Sequence, residues 1–520
     1  MLSLYDNNKI IINTLITKLF YLGNEEIISV LLNAKCYKLT FKVFENEHFG
    51  NLDKYKEHYI PFYILFNDSN INIQIPQELL YINSRLKYIN EVRFTLEKYD
   101  ELQKIFYSII NNNNQNIIKC LLNNDNEILL QIISIIHSNL KNDLDIIKKI
   151  AVIKLLINLF DCHPNYQLFK KDHVSNITPL FNNINFITQL NKCDFIPAIS
   201  FNIIQISNCL ITFSNQNYLS YIFSYLNEEV PTSFFYENIH VSVSSLNEYL
   251  TYTLSLFISF IKLNPKPLSN ITDFPNTINY ICKLLLLISP TQICFNEIYQ
   301  SIYSLIEIFS YERSLFANTF FNKIMISYVK YLTIPSKHEF TNIINQTLIK
   351  IIELFMHYIE LNKGTSQYWL KINQVIPLII KCLKINNNKH IVLTSLQFIR
   401  KISTYADKIF LDYLINDDLL HVVTHLFEKN FNKQNTIFST ICSFFEGIKR
   451  EKIILQKMLC LKIGFFSNDK YTKYFSHLLQ YANINININK ATSETIFSNN
   501  NNQFLSKKYK RLIYDNGKLN

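Results

Sequence analysis

Apolar residues recur at three- and four-residue spacing along most of the chain, in stretches of ten or more residues separated by short polar breaks. That period predicts amphipathic helices rather than strands, whose faces alternate every second residue. The clearest examples are "LQKIFYSIINNNNQNIIKCLL", "IIKKIAVIKLLINLF", "FNIIQISNCLITFSNQNYLSYIFSYL", "IYQSIYSLIEIFSYERSLF" and "NQTLIKIIELFMHYIEL". Breaks such as "NNDN" at 123–126 and "NPKP" at 264–267 supply turn residues between them. One stretch, "KHIVLTSLQFIRKI", shows the pattern densely. Ile391, Ser395, Phe398 and Ile402 fall on one helical face, which Val392, Leu396 and Ile399 widen, while Thr394, Gln397, Arg400 and Lys401 are expected on the opposite face. Asp417–Asp418 reads as a helix start, where negative charge suits the first turn.

Many short helices with no βαβ rhythm predict an all-α fold: an armadillo- or HEAT-like α-solenoid of stacked helical hairpins. A single hairpin cannot bury its apolar face, whereas stacked neighbours share a continuous core. With only six glycines the chain is also poorly equipped for tight β-turns. The solenoid is expected over 1–482. The segment 60–80 reads as a long connection, and 483–520, rich in Asn and Lys, as a disordered tail.

Composition narrows the function. Apolar residues make up 48% and charged residues 18%, the balance of a folded chain. A net charge of +10 over 520 residues is too diffuse for a sequence-independent nucleic-acid binder, and lysine pairs such as Lys148–Lys149 and Lys170–Lys171 do not repeat along one face. No nucleic-acid partner is expected. The uncharged stretch from Phe195 to Asn227 is broken by Asn202, Gln205 and Asn208, so no membrane partner is expected either. Ten cysteines occur without a C-x-x-C pair, which predicts reduced thiols.

Catalytic signatures are sparse. Phosphate-cradling glycine loops and the G-x-S-x-G elbow are missing from the sequence. His421 and His425 have metal-ligand spacing on a helix, but Val422 stands where a zinc protease needs its glutamate and no third ligand follows. Cys162, His163 and Cys193 are too loosely spaced for zinc. No cofactor, no metal and no enzymatic activity are therefore expected. Arginine is more telling, because only six occur in a lysine-rich chain (85, 93, 313, 400, 450 and 511). A planar guanidinium suits bidentate contact with carboxylate or phosphate, which singles out Arg400 and Arg85; the plainer reading is a surface or intramolecular ion pair.

"KHIVLTSLQFIRKI", followed by "DKIFLDYLINDDLLHVVTHLF" and "NTIFSTICSFFEGIKREKI", resembles the central region of regulatory subunit 3 of protein phosphatase 4. Lys389, His390, Leu396, Phe398, Arg400, Phe410, Tyr413, Ile415, Phe445, Glu446, Ile448 and Lys449 carry the resemblance. "LIKIIELFMHYIELNKG", "FFNKIMISYVKYLTIP", "KYKEHY" and "RLKYINEV" extend it, the last bringing in Arg85, Tyr88 and Glu91. It covers roughly 30–465 and is clearest at 340–455. The family's N-terminal pleckstrin-like domain is expected to be missing, its Arg-Arg pair is Arg400–Lys401, and Cys442 or Ser443 replaces a family glutamate.

The resemblance implies a non-catalytic scaffold for a serine/threonine phosphatase. Its partners would be the catalytic subunit, a second regulatory subunit and phosphoprotein substrates, in nucleus and cytoplasm. Lys389, His390, Arg400, Lys401, Lys449 and Arg85 are the candidate partner-binding residues, forming a basic rim for an acidic partner segment. The cluster Lys507, Lys508, Lys510 and Arg511 is a candidate nuclear-import signal. The alternative is a helical-repeat adaptor unrelated to phosphatase; an importin-like groove is disfavoured by the single tryptophan, Trp369.

Overall fold

The computed structural model describes residues 9–32, 99–160, 186–226, 241–263, 273–311, 320–334, 341–405 and 417–482 apart from short gaps, with a few positions between 36 and 86. The expected connection at 60–80, the break at 264–267 and the tail 483–520 lie outside the described residues. The chain divides into two compact units, Met1–Phe410 and Leu411–Asn520. Among the described residues there is no β-strand.

The first unit holds α1 (Lys9–Tyr21), α2 (Glu25–Leu31), α3 (Tyr99–Leu121), α4 (Glu127–His137), α5 (Asp143–Phe160), α6 (Phe195–Thr212), α7 (Gln216–Leu226) and α8 (Val243–Leu263). It continues through α9 (Asp273–Leu287), α10 (Cys294–Tyr311), one π-helical turn (Phe320–Ile324), α11 (Ile326–Tyr331), α12 (Thr341–Leu361), α13 (Thr365–Ile372), α14 (Val375–Ile385) and α15 (Lys389–Tyr405). Successive packing builds two rows. One runs α4, α6, α9, α11; the other runs α5, α8, α10, α12, α15. Cross-contacts α4–α5, α6–α8, α9–α10 and α14–α15 tie the rows into hairpins. This is the expected α-solenoid, each hairpin closing its neighbour's core.

Aromatic side chains fill the space between the rows. Phe195 meets Phe260 at 4.8 Å, Phe309 meets Phe320 at 5.0 Å, and Phe321 stacks on Tyr358 at 4.4 Å. Tyr218, Tyr249, Tyr328 and Tyr331 are almost fully buried, and each hydroxyl is served. Tyr218 donates to the Leu286 carbonyl at 2.8 Å and lies 3.1 Å from the Tyr331 hydroxyl. Tyr328 donates to the Cys282 carbonyl. A buried phenol keeps its packing area only if its hydroxyl finds such a partner.

By length and composition α6 would cross a membrane. Here it is a core helix, covered by α4, α8 and α9, with Asn202, Gln205 and Asn208 buried in the protein. Asn202 donates to the Ile136 and Ala198 carbonyls and accepts from Lys149 Nζ (3.2 Å) and the Tyr249 hydroxyl (2.5 Å). Lys149 Nζ also donates to the carbonyls of Ile136 and Ser138, at the C-terminal end of α4. An ammonium there satisfies carbonyls that the helix leaves open and meets the negative end of its dipole. Burial nevertheless pushes Lys149 down to about 7, against the opposing pull of Asp145. Lys149 is thus part of the core.

Asparagine punctuates the fold. Asn24, Asn142, Asn215 and Asn388 accept backbone N–H bonds in the first turns of α2, α5, α7 and α15. The stretch expected as one apolar run from Phe201 to Leu226 breaks here into α6 and α7, with Asn215 opening the second. Within the "NNNN" run, Asn113 and Asn114 are buried and bond Asn83 across some thirty positions of chain.

The second unit contains α16 (Asp417–Asn430), α17 (Thr436–Ile448), α18 (Lys452–Leu461), α19 (Ile463–Phe466) and α20 (Asp469–Tyr481). Asp417 does begin a helix. Phe427 anchors the core, with Phe438 and Phe475 each at 5.0 Å and Phe465 at 5.5 Å. Asn435 and Asn468 cap α17 and α20.

Candidate partner-binding surface

α15 carries four of the six expected partner-binding residues. Asn388 caps it, accepting from the His390 and Ile391 amides at 2.9 and 3.4 Å, which places Lys389 and His390 in the first turn, both exposed. Ile391, Leu396, Phe398, Ile399 and Ile402 are buried against α12 and α14. Eleven residues make just over three helical turns, so Lys389 lies nearly in line with Arg400, and His390 with Lys401, about 16 Å along the axis. The result is a basic stripe with two ends.

The stripe is narrower than the sequence suggests. Thr394 is 6% exposed, because its hydroxyl donates back to the His390 carbonyl at 2.9 Å and so tolerates burial. Arg400 projects into solvent without an ion pair among the described residues. Lys401 is already engaged, forming an ion pair with Glu360 of α12.

Glu360 belongs to a chain of polar and aromatic side chains along the row α5–α8–α10–α12–α15. Lys154 pairs with Glu248 at 3.5 Å and sits 4.3 Å from the Tyr252 ring. Lys350 pairs with Glu353 at 3.0 Å and lies 4.4 Å from the Tyr299 ring. Tyr303 of α10 stacks on His357 of α12 at 3.4 Å, the planes 16° apart. His357 Nδ1 is 3.8 Å from Glu360, outside hydrogen-bonding range, and neither ring nitrogen has a hydrogen-bond partner. Burial holds the imidazole below its ordinary value, overriding Glu360 and Glu307. Burial and Glu353 push the Tyr299 phenol up. No feature of the sequence pairs these residues, since they come together only through the register of α10, α12 and α15.

The other two expected residues lie elsewhere. Arg85 is half-buried and donates from Nη1 to the Leu32 carbonyl, at the end of α2. Lys449 belongs to the second unit, where its ammonium sits 5.2 Å from the Tyr481 ring. Lys507, Lys508, Lys510 and Arg511 fall outside the described residues, as do Tyr88, Glu91, Cys162 and His163.

Four of the described thiols, Cys209, Cys282, Cys294 and Cys382, are held away from nucleophilic chemistry by burial. Burial raises Cys209 and Cys382 to about 11, and Cys282 and Cys294 to about 12. His421 and His425 are exposed on α16 on either side of buried Val422. Among the described residues, no three His, Cys, Asp or Glu side chains gather as metal ligands would. What the arrangement does offer is a run of polar and aromatic side chains along α10, α12 and α15.

Over residues 13–483 the sequence matches the family of phosphatase 4 regulatory subunit 3. The chain belongs to that family. In this regulatory-subunit chain the matched region takes in every helix from α2 to α20, and α15 with them. Among solved structures, the karyopherin Kap121p, in its complex with the SUMO protease Ulp1p, is similar over 91% of this chain and 49% of its own, at a TM-score of 0.34 and 9% identity. The chain thus spans about half the length of that karyopherin. No curated protein sequence matches it.

Proposed function

We propose that this chain is a non-catalytic scaffold that docks the catalytic subunit of a phosphatase 4-like serine/threonine phosphatase, together with a second regulatory subunit, and brings it to phosphoprotein substrates. The observation that carries the reading is the family match over 13–483. The exposed basic stripe of α15, open at Arg400, supports an acidic docking segment. Stacked helices present enough surface for an interface of roughly 1,600 Å². The mechanism is a rise in local phosphatase concentration around bound substrates, without chemistry by the scaffold itself. We place the complex in both nucleus and cytoplasm, with Lys507, Lys508, Lys510 and Arg511 directing import.

The test is affinity purification of the tagged chain from its own cells, with mass spectrometry and a phosphatase assay on the eluate. Stoichiometric recovery of a phosphatase-4-like catalytic subunit is expected. An eluate containing other proteins but no phosphatase would favour the unrelated adaptor instead. Replacing the four basic tail residues by alanine is expected to shift a fluorescent fusion out of the nucleus; unchanged distribution would remove the import role.

A further inference from the structure

Glu360 stands between two bases. On one side it pairs with Lys401 of α15; on the other, one turn earlier on α12, His357 Nδ1 waits at 3.8 Å. The His357 side chain is 8% exposed and both ring nitrogens lack hydrogen bonds, an uncommon condition for a buried polar group. Four groups face it: the Tyr303 ring and Glu307 from α10, Glu360 on its own helix, and Lys401 from α15. The two carboxylates and the aromatic face favour an imidazolium; burial and the Lys401 charge oppose it. Lys401 holds the carboxylate, and burial favours the neutral imidazole.

We propose that Glu360 is a shared carboxylate: an acidic partner segment seated on Arg400 and Lys401 releases it to His357, which takes up one proton from solvent. The partner's carboxylate or phosphate replaces Glu360 on Lys401. Glu360 then turns to His357 Nδ1, and the incoming anion neutralises the cation that had repelled the imidazolium. The identity of the partner rests on the reading above, whereas the sharing of Glu360 is a property of this chain alone.

The sign follows from linkage. The bound state holds the extra proton, so affinity rises as pH falls from the bound-state value of His357 towards its lower free value. One proton limits the slope to about tenfold per pH unit.

Two measurements on the full chain separate the parts. The first follows histidine Cε1–H resonances against pH, with His357 identified by the signal lost in His357→Gln. In Lys401→Met, Glu360 is released without any partner, and the His357 midpoint is expected to rise by roughly one unit. Midpoints that coincide in wild type and Lys401→Met would overturn the shared carboxylate. The second measures binding to purified phosphatase 4 catalytic subunit between pH 5.5 and 8. Wild type is expected to tighten as pH falls, and His357→Gln to bind with a flatter profile. Equal slopes would overturn proton-linked docking. Absence of binding by both proteins at every pH would sink the regulatory-subunit reading, while the resonance comparison still decides the fate of Glu360.

Discussion

Replacing Asn202 by leucine is the sharpest test of how the helical rows are held in register. The amide is fully buried and makes four bonds, donating to Ile136 and Ala198 and accepting from Lys149 and Tyr249. Leucine keeps the branched shape and removes all four. The losses are unequal. Ile136 retains the Lys149 ammonium, and the Ala198 carbonyl retains the helix, but the fully buried Tyr249 hydroxyl is left with nothing and Lys149 loses one of three oxygens. An orphaned buried hydroxyl costs about 1–3 kcal/mol and a weakened charged bond a similar amount, so Asn202→Leu should cost about 2–4 kcal/mol. Tyr249→Phe alone leaves Asn202 bonded to Lys149 and should cost about 0.5–1.5 kcal/mol. In the Asn202→Leu background the same change removes the orphan, and its cost should vanish or reverse. Because two compact units unfold in one chain, global melting is a poor assay. Hydrogen exchange of peptides from α4, α5, α6 and α8 reads the local opening energy instead. An Asn202→Leu loss below about 0.5 kcal/mol, or an equal Tyr249→Phe cost in both backgrounds, would refute the network as an energetic unit.

Arg400→Glu should weaken capture of the phosphatase catalytic subunit by tenfold or more, on the order of 1.4 kcal/mol, while leaving exchange protection of α15 unchanged; undiminished capture in a pull-down would remove Arg400 from the interface. Lys149 predicts a pH dependence. Its folded value of about 7 lies below the ordinary 10.5, so above pH 7 the unfolded chain holds the extra proton and stability rises with pH. The protection of α4 and α5 in wild type, relative to Lys149→Met, should therefore grow between pH 7 and 9.5; a constant difference would mean the three oxygens hold the proton. Asn388→Ala should cost about 1 kcal/mol through loss of the α15 cap, read as faster exchange in its first turn.

The helical period made the solenoid legible because burial of one face per helix is written directly into residue spacing. Residues 345–361 fall within α12, and Lys389–Ile402 within α15, as their spacing predicts. What spacing does not carry is which helix each face meets. The Tyr303–His357 stack and the Lys401–Glu360 pair depend on that meeting, so Lys401 looked as free as Arg400. Residue type misled at one position and was silent at others. Thr394 was assigned to solvent as a polar residue, although its bond to the His390 carbonyl lets it enter the core. Lys149 stands in the sequence only as half of a scattered lysine pair, and nothing in that pair foretells the helix-end carbonyls and Asn202 that receive it. Asparagine abundance also hides specific work at Asn24, Asn215, Asn388 and Asn202.

These placements separate two kinds of mutational effect within the first unit. Side chains buried between the rows, such as Asn202, Lys149 and Tyr218, have no path to a docked protein except through the position of the helices. Their loss should change exchange protection first and partner affinity only as far as the helices shift. Residues along α10, α12 and α15 near Glu360 are partly open to solvent and make pairs of half-exposed charges, which contribute little to folding. A surface whose ion pairs are weak in the free chain is one whose charges a partner can take over at small cost. Substitution of Arg400, Lys401 or Glu360 should therefore move affinity while sparing stability, and an equal loss of both would place these residues in the core's service rather than the partner's.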